Sequence, residues 1–357
     1  MKRTQVATYA LAALAVCAAL SAPTQVRSGI ETAPDFTIYN CINADSISLS
    51  DLSADPVLLV FYDGGLVSNI NTLRYAKEWD RRYSADGLKV VCMHCPFFPP
   101  SKLPYNAIEV VSQVGLKVPV GLDMDREIYD LYGIKGLPSF ILIQPGGRVA
   151  AQKEGLKVYG DVEEAIQDEL KRLNPGIILP LVMKPLKPWD SDEAKIYPAT
   201  PMLTLGYAPG NIANSDSAMW NKFAEYYDSR DRTKDKVYLN GNWKVGKYLV
   251  AYSDSIGGLN NHIRVIYRGK SVWILPGFEL GHRPRIYIRQ DRSYLEPGSW
   301  GRDVIADQEG KPFVHMQYSI PQQIVDNPAY GAHQLELIPG EDDVSIYYLF
   351  FESDVQH

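Results

Sequence analysis

The chain has 357 residues, enough for about two domains, and its 46% hydrophobic and 22% charged content is ordinary for a folded soluble protein. A net charge of −6 argues against nucleic acid as a partner, which would call for a basic surface. The 23 tyrosines and 24 prolines suit extracytoplasmic β-rich structure better than a helical bundle.

Lys2 and Arg3 precede an apolar run over residues 7–22, followed by Pro23. This layout predicts a signal peptide over residues 1–28, cleaved between Ala18 and Ser28, and an extracytoplasmic (periplasmic or secreted) protein. The apolar run is shorter than the roughly 20 residues of a spanning helix, and no later segment predicts one. Cys17 follows Leu14-Ala15-Val16, a poor lipobox because valine stands where a small residue is needed, so lipid anchoring at Cys17 is the lesser alternative. Cys17 leaves with the leader, and Cys41, Cys92 and Cys95 stay. An odd number of thiols in an oxidising compartment leaves at least one free or externally paired.

Residues 33–39 read as an opening strand and 46–52 as its short return. Residues 56–62 are a continuous apolar run, the pattern of a strand covered on both faces. Asp63-Gly64-Gly65 breaks it, and a helix is expected from Ser68 or Asn69, either a good N-cap, with Ile70, Leu73, Ala76, Trp79 and Tyr83 as its stripe. A strand over 88–93, a helix over 106–114, a short strand over 119–123 and a helical turn over 126–132 follow. Leu137-Pro138 precedes a strand at 139–143, where a proline has no N–H to give to a ladder, and a cis bond is expected there. A turn at Pro145-Gly146-Gly147, a strand over 149–154 and a helix over 161–173 capped by Asp161 complete the order β-α-β-α-β-β-α.

This stretch resembles the thioredoxin-like proteins of the TlpA/DipZ type, in the cis-proline segment around Pro138 and in the opening Ala33-Pro-Asp-Phe with Ser48-Leu-Ser-Asp-Leu52. The opening is shared with peroxiredoxin-like domains. The resemblance implies a Cys-x-x-Cys at the first strand-to-helix junction, where a helix N-terminus stabilises a thiolate. Here the junction reads Phe61-Tyr-Asp-Gly-Gly-Leu66-Val-Ser-Asn69, so Leu66 and Asn69 stand at the two cysteine positions, and neither can exchange a disulfide. A Cys-x-x-Cys does occur as Cys92-Met-His-Cys95, at the end of the second core strand. Three extended steps put these residues about 10 Å apart and on opposite faces, beyond the roughly 7 Å between Cα atoms that a disulfide spans. A bend at Met93 or His94, ahead of Pro96, would be required. The competing reading is a buried Cys92 that behaves as a small hydrophobe beside an incidental Cys95. Zinc lacks a second ligand pair, a peroxidase would need a cysteine near a Thr and an Arg after the first strand, and no metal or other cofactor is expected.

Six prolines between 175 and 201, with no helical period, predict an extended linker over 174–199. Short alternating runs then predict an all-β, jelly-roll-like sandwich over 200–357, after the thioredoxin-like domain of 30–173. Thr200-Pro-Met-Leu-Thr-Leu-Gly-Tyr207, Leu239-Asn-Gly-Asn-Trp-Lys-Val-Gly246, Arg285-Ile-Tyr-Ile-Arg-Gln-Asp291 and His333-Gln-Leu-Glu-Leu337 resemble the C-terminal, carbohydrate-binding-module-like domain of DipZ-type proteins. For a glycan, Trp273 and Tyr287 would serve as platforms and Arg285 and Arg289 as planar polar groups. Trp243 reads as core, and alternating Tyr/Ile strands are more often sheet packing. His262, His282, His315, His333 and His357 have no ligand spacing.

The expectation is an exported thioredoxin-fold protein with a degenerate redox site. It would act as a binding or scaffolding module for an envelope protein or glycan. The alternative is an extracytoplasmic thiol–disulfide oxidoreductase using Cys92 and Cys95, with His94 as neighbour and Pro138 opposite.

Overall fold

The protein is described from a computed structural model covering residues 30–356 apart from 192, 230, 253–259, 278–282, 317 and 341–343. Residues 1–28, where a signal peptide is expected, with Cys17, His282 and His357, lie outside the described residues. The chain divides into two compact units, up to Ala194 and from Lys195 onward.

The first unit is built on β4 (Val57–Tyr62), whose six residues are all buried because helices cover both faces. Beside it run β5 (Lys89–His94) and β6 (Val120–Leu122), parallel, then β2 (Cys41–Ile42) at the edge. On the other side β7 (Ser139–Ile143) and β8 (Val149–Glu154) run antiparallel. The order is β2-β6-β5-β4-β7-β8. A separate ribbon pairs β1 (Thr37–Ile38) with β3 (Ile47–Ser48), and the predicted return strand ends early in the short helix α1 (Leu49–Leu52). The helices are α2 (Val67–Tyr83), α3 (Pro104–Val114), α4 (Glu127–Leu131) and α5 (Tyr159–Leu173). Leu73, Ala76, Trp79 and Tyr83 form the buried stripe of α2, as the periodicity predicts. Two helix starts differ from expectation. α2 begins at Val67 with Leu66 as its cap residue, and α5 begins at Tyr159, so Asp161 lies inside its first turn. The Leu137-Pro138 bond is cis.

The proline-rich segment is not a free linker as far as Asp190. It is a strap tied to α2 and α5. The Gln167 amide donates to the Pro180 carbonyl (2.8 Å), Arg82 donates to the Leu181 carbonyl, and the Met183 N–H donates to Glu163 (3.1 Å). Tyr75 Oη accepts from the Leu186 N–H (2.7 Å) and donates to Asp190 (2.7 Å), which also receives the Asn71 amide (3.0 Å). Sequence periodicity is blind to such a segment, because its backbone partners are side chains of two helices, 13 to 111 positions earlier in the chain.

The second unit is all β. Its sheet runs β10 (Phe223–Tyr226), β11 (Val237–Val245), β12 (Val250–Tyr252), β19 (Ser345–Glu352), β13 (His262–Gly277), β18 (Gln322–Pro339), β14 (Arg285–Gln290), β17 (Pro312–His315), β16 (Ile305–Ala306). β9 (Leu203–Thr204) pairs with β19, and β15 (Ser293–Tyr294) with β14. Runs predicted as separate strands are fused. The first half of β13 pairs with β11 and the second with β19, with a register break between Gly269 and Ser271. Gly269 faces Gly331 across that break, and a Cβ there would lie 2.9 Å from the Glu352 carbonyl oxygen. The strands turn from one half of the sheet into the other around a single core that includes Trp243, Tyr267, Ile288 and Leu337.

Gly206 marks the tightest approach in the Thr200–Tyr207 motif: its φ is +113°, and a Cβ would sit 2.7 Å from the carbonyl oxygens of Gly246 and Lys247. Gly206→Ala is expected to cost about 2 kcal/mol or more. In urea unfolding followed by tryptophan fluorescence and circular dichroism, the loss should fall on the transition of the second unit and leave that of the first in place.

Candidate functional site

β4 delivers Tyr62 and Asp63 to the junction with α2, where the fold's chemistry is expected. Leu66 is the N-cap residue of α2 and makes no side-chain cap; Asn69 lies in the first turn, buried. Its Oδ1 accepts the Asp63 N–H (3.0 Å), so Asn69 satisfies backbone at the junction. Asp63 is fully buried and accepts from the N–H groups of Gly65 (2.7 Å) and Phe97 (2.9 Å). A Cβ at Gly65 would lie 1.9 Å from Ser101 Oγ, so the two loops approach closely there and a side chain at 65 would have to displace that hydroxyl. His94 Nδ1 accepts the Gly64 N–H (3.2 Å) and Nε2–H donates to the Ser101 carbonyl (2.8 Å), which fixes a neutral tautomer. Burial pushes the Asp63 carboxyl up against the lowering effect of His94, and burial pushes the His94 imidazole down. His94 therefore ties the two loops together through both ring nitrogens and has none left for a nearby thiol.

The structure places Cys92 and Cys95 on opposite faces, as alternation requires. Cys95 packs with Val91, Met93, Phe61, Ile128 and Tyr132, with half-buried Leu137 against the same cluster. Cys92 is one step out of phase and feels Asp80 of α2. Cys41, Cys92 and Cys95 are all free. Cys95 Sγ donates to Asp123 Oδ2 (3.6 Å), and that carboxylate also takes the N–H groups of Ile128 (3.2 Å) and Tyr129 (2.8 Å). Burial first, then the Asp123 charge, pushes the Cys95 thiol well up, with Arg126 opposing; burial also pushes Cys92 up. Both shifts run opposite to those of an activated thiol. Sequence reading passed over Asp63, Phe97, Asp123 and Arg126. The available signal was an aspartate directly after each of two all-apolar strands, where a charge is buried only if backbone donors await it.

Residues 30–152 match the AhpC/TSA family. This stretch has a thioredoxin-like fold. Protein DipZ of Mycobacterium bovis is 26% identical over 253 residues, which is 69% of this chain and 35% of DipZ. That alignment is longer than the 194 residues of the first unit, so it runs into the second. The chain spans about a third of the length of DipZ. The thiol-disulfide oxidoreductase ResA of Bacillus subtilis is 27% identical over 144 residues, 40% of this chain and 75% of ResA. Among solved structures, the thioredoxin domain of a thiol-disulfide oxidoreductase from Bacteroides vulgatus aligns with a TM-score of 0.34 and 18% identity, covering 40% of this chain and 97% of that one. No helix among the described residues is long and apolar enough to cross a membrane.

In the second unit the proposed glycan residues do not converge. Arg285, Tyr287 and Arg289 share the outward face of β14, where Arg285 lies over the Tyr287 and Phe313 rings (5.9 and 5.7 Å). Trp273 lies on the other half of β13, beneath Arg302 (4.8 Å), with its N–H on Glu352 (2.7 Å). Trp243 is fully buried, as expected of core. Arg289 belongs to a ladder of charges: Arg289 to Glu336 (3.0 Å), Glu336 to Arg264 (3.1 Å), and Arg264 to Asp228, which also meets Arg232 (2.9 Å) and His262 (3.2 Å). Burial alone would push the Asp228 carboxyl up, but its hydrogen bonds from Arg232 and His262 and the Arg264 charge hold it below its ordinary value.

Three outcomes are expected. Asn69→Ala should leave the buried Asp63 N–H unpaired and lower the stability of the first unit by about 1–3 kcal/mol in urea unfolding. Alkylation of native Cys95 by iodoacetamide, mapped by mass, should be negligible at neutral pH and rise only well above the ordinary thiol value of about 8.5, because the raised thiol stays protonated until then. The Asp228 contribution is fully present above about pH 3.9 and is lost as pH falls through the lower folded value, so the second unit should lose stability as pH drops below about 4, followed by urea unfolding at each pH. Asp228→Asn should flatten that acid limb.

Proposed function

We propose that the first unit serves extracytoplasmic thiol–disulfide exchange, the activity named for its ResA relatives, and that exchange passes through Cys95. One observation carries this reading: Cys95 is the thiol at the edge of the sheet where β4 hands over to α2, in the same cluster as Leu137 of the cis-Pro138 segment. In the exchange step the Cys95 thiolate attacks one sulfur of a partner disulfide, the other partner sulfur leaves as a thiolate, and a mixed disulfide forms. A second thiol then resolves it: either a thiol of the partner, or Cys92 after a turn at Met93–His94. The raised Cys95 thiol makes the resting form slow, so exchange depends on the loop after β5 opening to water and away from Asp123.

A second reading has its own support. Leu66 and Asn69 occupy the start of α2, and Asn69 is spent on the Asp63 backbone. On that reading the unit is a non-catalytic binding or scaffolding module for an envelope protein or glycan.

Thiol counting on the leader-free protein before and after mild reduction, with mass mapping of Cys41, Cys92 and Cys95, separates the two. A reducible disulfide involving Cys95 with a potential near or above about −270 mV, and turnover of a model disulfide that is lost in Cys95→Ser, is the expected result for the exchanger. Three free, slowly reacting thiols and no turnover leave the binding module.

A further inference from the structure

Beside Cys95 the surface carries a cation within reach of two rings. The Arg126 guanidinium carbon lies 4.8 Å from the centre of the Phe97 ring and 5.6 Å from that of Tyr129, and the rings meet edge to face at 6.2 Å. Phe97 is 45% exposed. No ion pair or side-chain hydrogen bond to the Arg126 guanidinium occurs among the described residues. Asp125 faces Lys102 (3.7 Å), and Asp123 is engaged by Cys95, Ile128 and Tyr129. Contact with the rings leaves guanidinium N–H groups open, and a guanidinium fork meets a carboxylate with two parallel hydrogen bonds.

The clamp is built from below. Asp63 holds the Phe97 N–H, and Asp123 holds the Tyr129 N–H through its side chain and the Arg126 N–H through its carbonyl (3.0 Å). Arg126 itself sits at φ 62°, a conformation non-glycine residues rarely adopt and keep only where the surroundings impose it. The two buried carboxylates at the ends of β4 and β6 thus fix both rings and the backbone of the cation.

We propose that Arg126, clamped by Phe97 and Tyr129, is the recognition group of this edge and binds a carboxylate side chain of an extended partner segment. The proposal rests on the reading that a partner docks at this edge, and it assigns that partner's chemistry. The guanidinium is already ordered before binding, so little rotamer freedom is lost when the fork closes on the carboxylate. Its single charge, beside the exposed Phe97 ring, selects an acidic residue flanked by apolar ones.

The test is calorimetric titration of the full leader-free chain, thiols kept reduced, with acetyl-Ser-Glu-Val-Glu-Ser-amide and its Gln and Lys counterparts. The Glu peptide should bind about three- to tenfold more tightly than the Gln peptide, and the Lys peptide should be the weakest. Arg126→Gln should bring the Glu peptide down to the level of the Gln peptide. Arg126→Lys should retain part of the preference, and Phe97→Ala should reduce it. Raising salt from about 50 to about 500 mM should weaken only the Glu peptide. Equal affinity for the Glu and Gln peptides, no binding of the Glu peptide, or an Arg126→Gln protein that still prefers Glu overturns the proposal. Unfolding midpoints of the variants confirm that folding is intact. Because no exchange takes place in the titration, a Glu preference without thiol turnover removes the exchange reading alone, and turnover without a Glu preference removes the clamp alone.

Discussion

Two aspartates, Asp63 and Asp123, are buried where the parallel strands end, and a buried carboxylate persists only if donors are fixed around it. Here most of the donors are backbone N–H groups: Gly65 and Phe97 for Asp63, Ile128 and Tyr129 for Asp123. Each carboxylate therefore sets the path of a loop. Asp63 draws the loop after β5 towards the start of α2, and Asp123 starts α4. His94 bridges Gly64 and Ser101, and Asn69 closes the Asp63 backbone. Removing either carboxylate would release several loop contacts together, because each acceptor serves more than one donor.

The same arrangement determines how the thiols behave. A redox cysteine of this fold depends on a helix N-terminus and positive charge to lower its pKa. Cys95 has a carboxylate at 3.6 Å instead, and burial acts in the same direction. Arg126 is the one cation that opposes them, and it is placed on the solvent side of the cluster. A thiol in this setting is a weak donor to Asp123 until the loop moves, so its chemistry is tied to a conformational step and not to the resting geometry.

Much of the first unit was legible because its signals are local. The apolar run of β4, the stripe of α2 and the proline before β7 each follow from the residues that form them. Leu66 and Asn69 could be placed by counting from Phe61. What those residues do could not: Asn69 acts on a backbone group six positions earlier, at a distance that only the fold sets. The strap over 174–190 was hidden for the same reason, since Tyr75 and Glu163 satisfy it from the helices. In the second unit the strand positions were legible but not their fusion at Gly269, where a sheet bends without a turn signal. Trp273 and Tyr287 looked alike in sequence as aromatics on alternating strands. Register with Gln323 on one half of the sheet and with Ile338 on the other separates them.

Folding alone does not account for the outer surface of this edge. Phe97 keeps nearly half its area in water and gains little from burial. Among the described residues Arg126 closes no ion pair, and its backbone lies in a region that costs of order 1–3 kcal/mol for a residue with a side chain. A structural purpose would bury the ring or pair the cation. Asp63 and Asp123 below are buried carboxylates, and two of their donors are the N–H groups of Phe97 and Tyr129. Those bonds fix the backbone beneath the two rings that contact Arg126. In a domain whose helix start carries Leu66 and Asn69, the ordered surface at this end of the sheet is Arg126 with Phe97 and Tyr129, and recognition is the property such order improves.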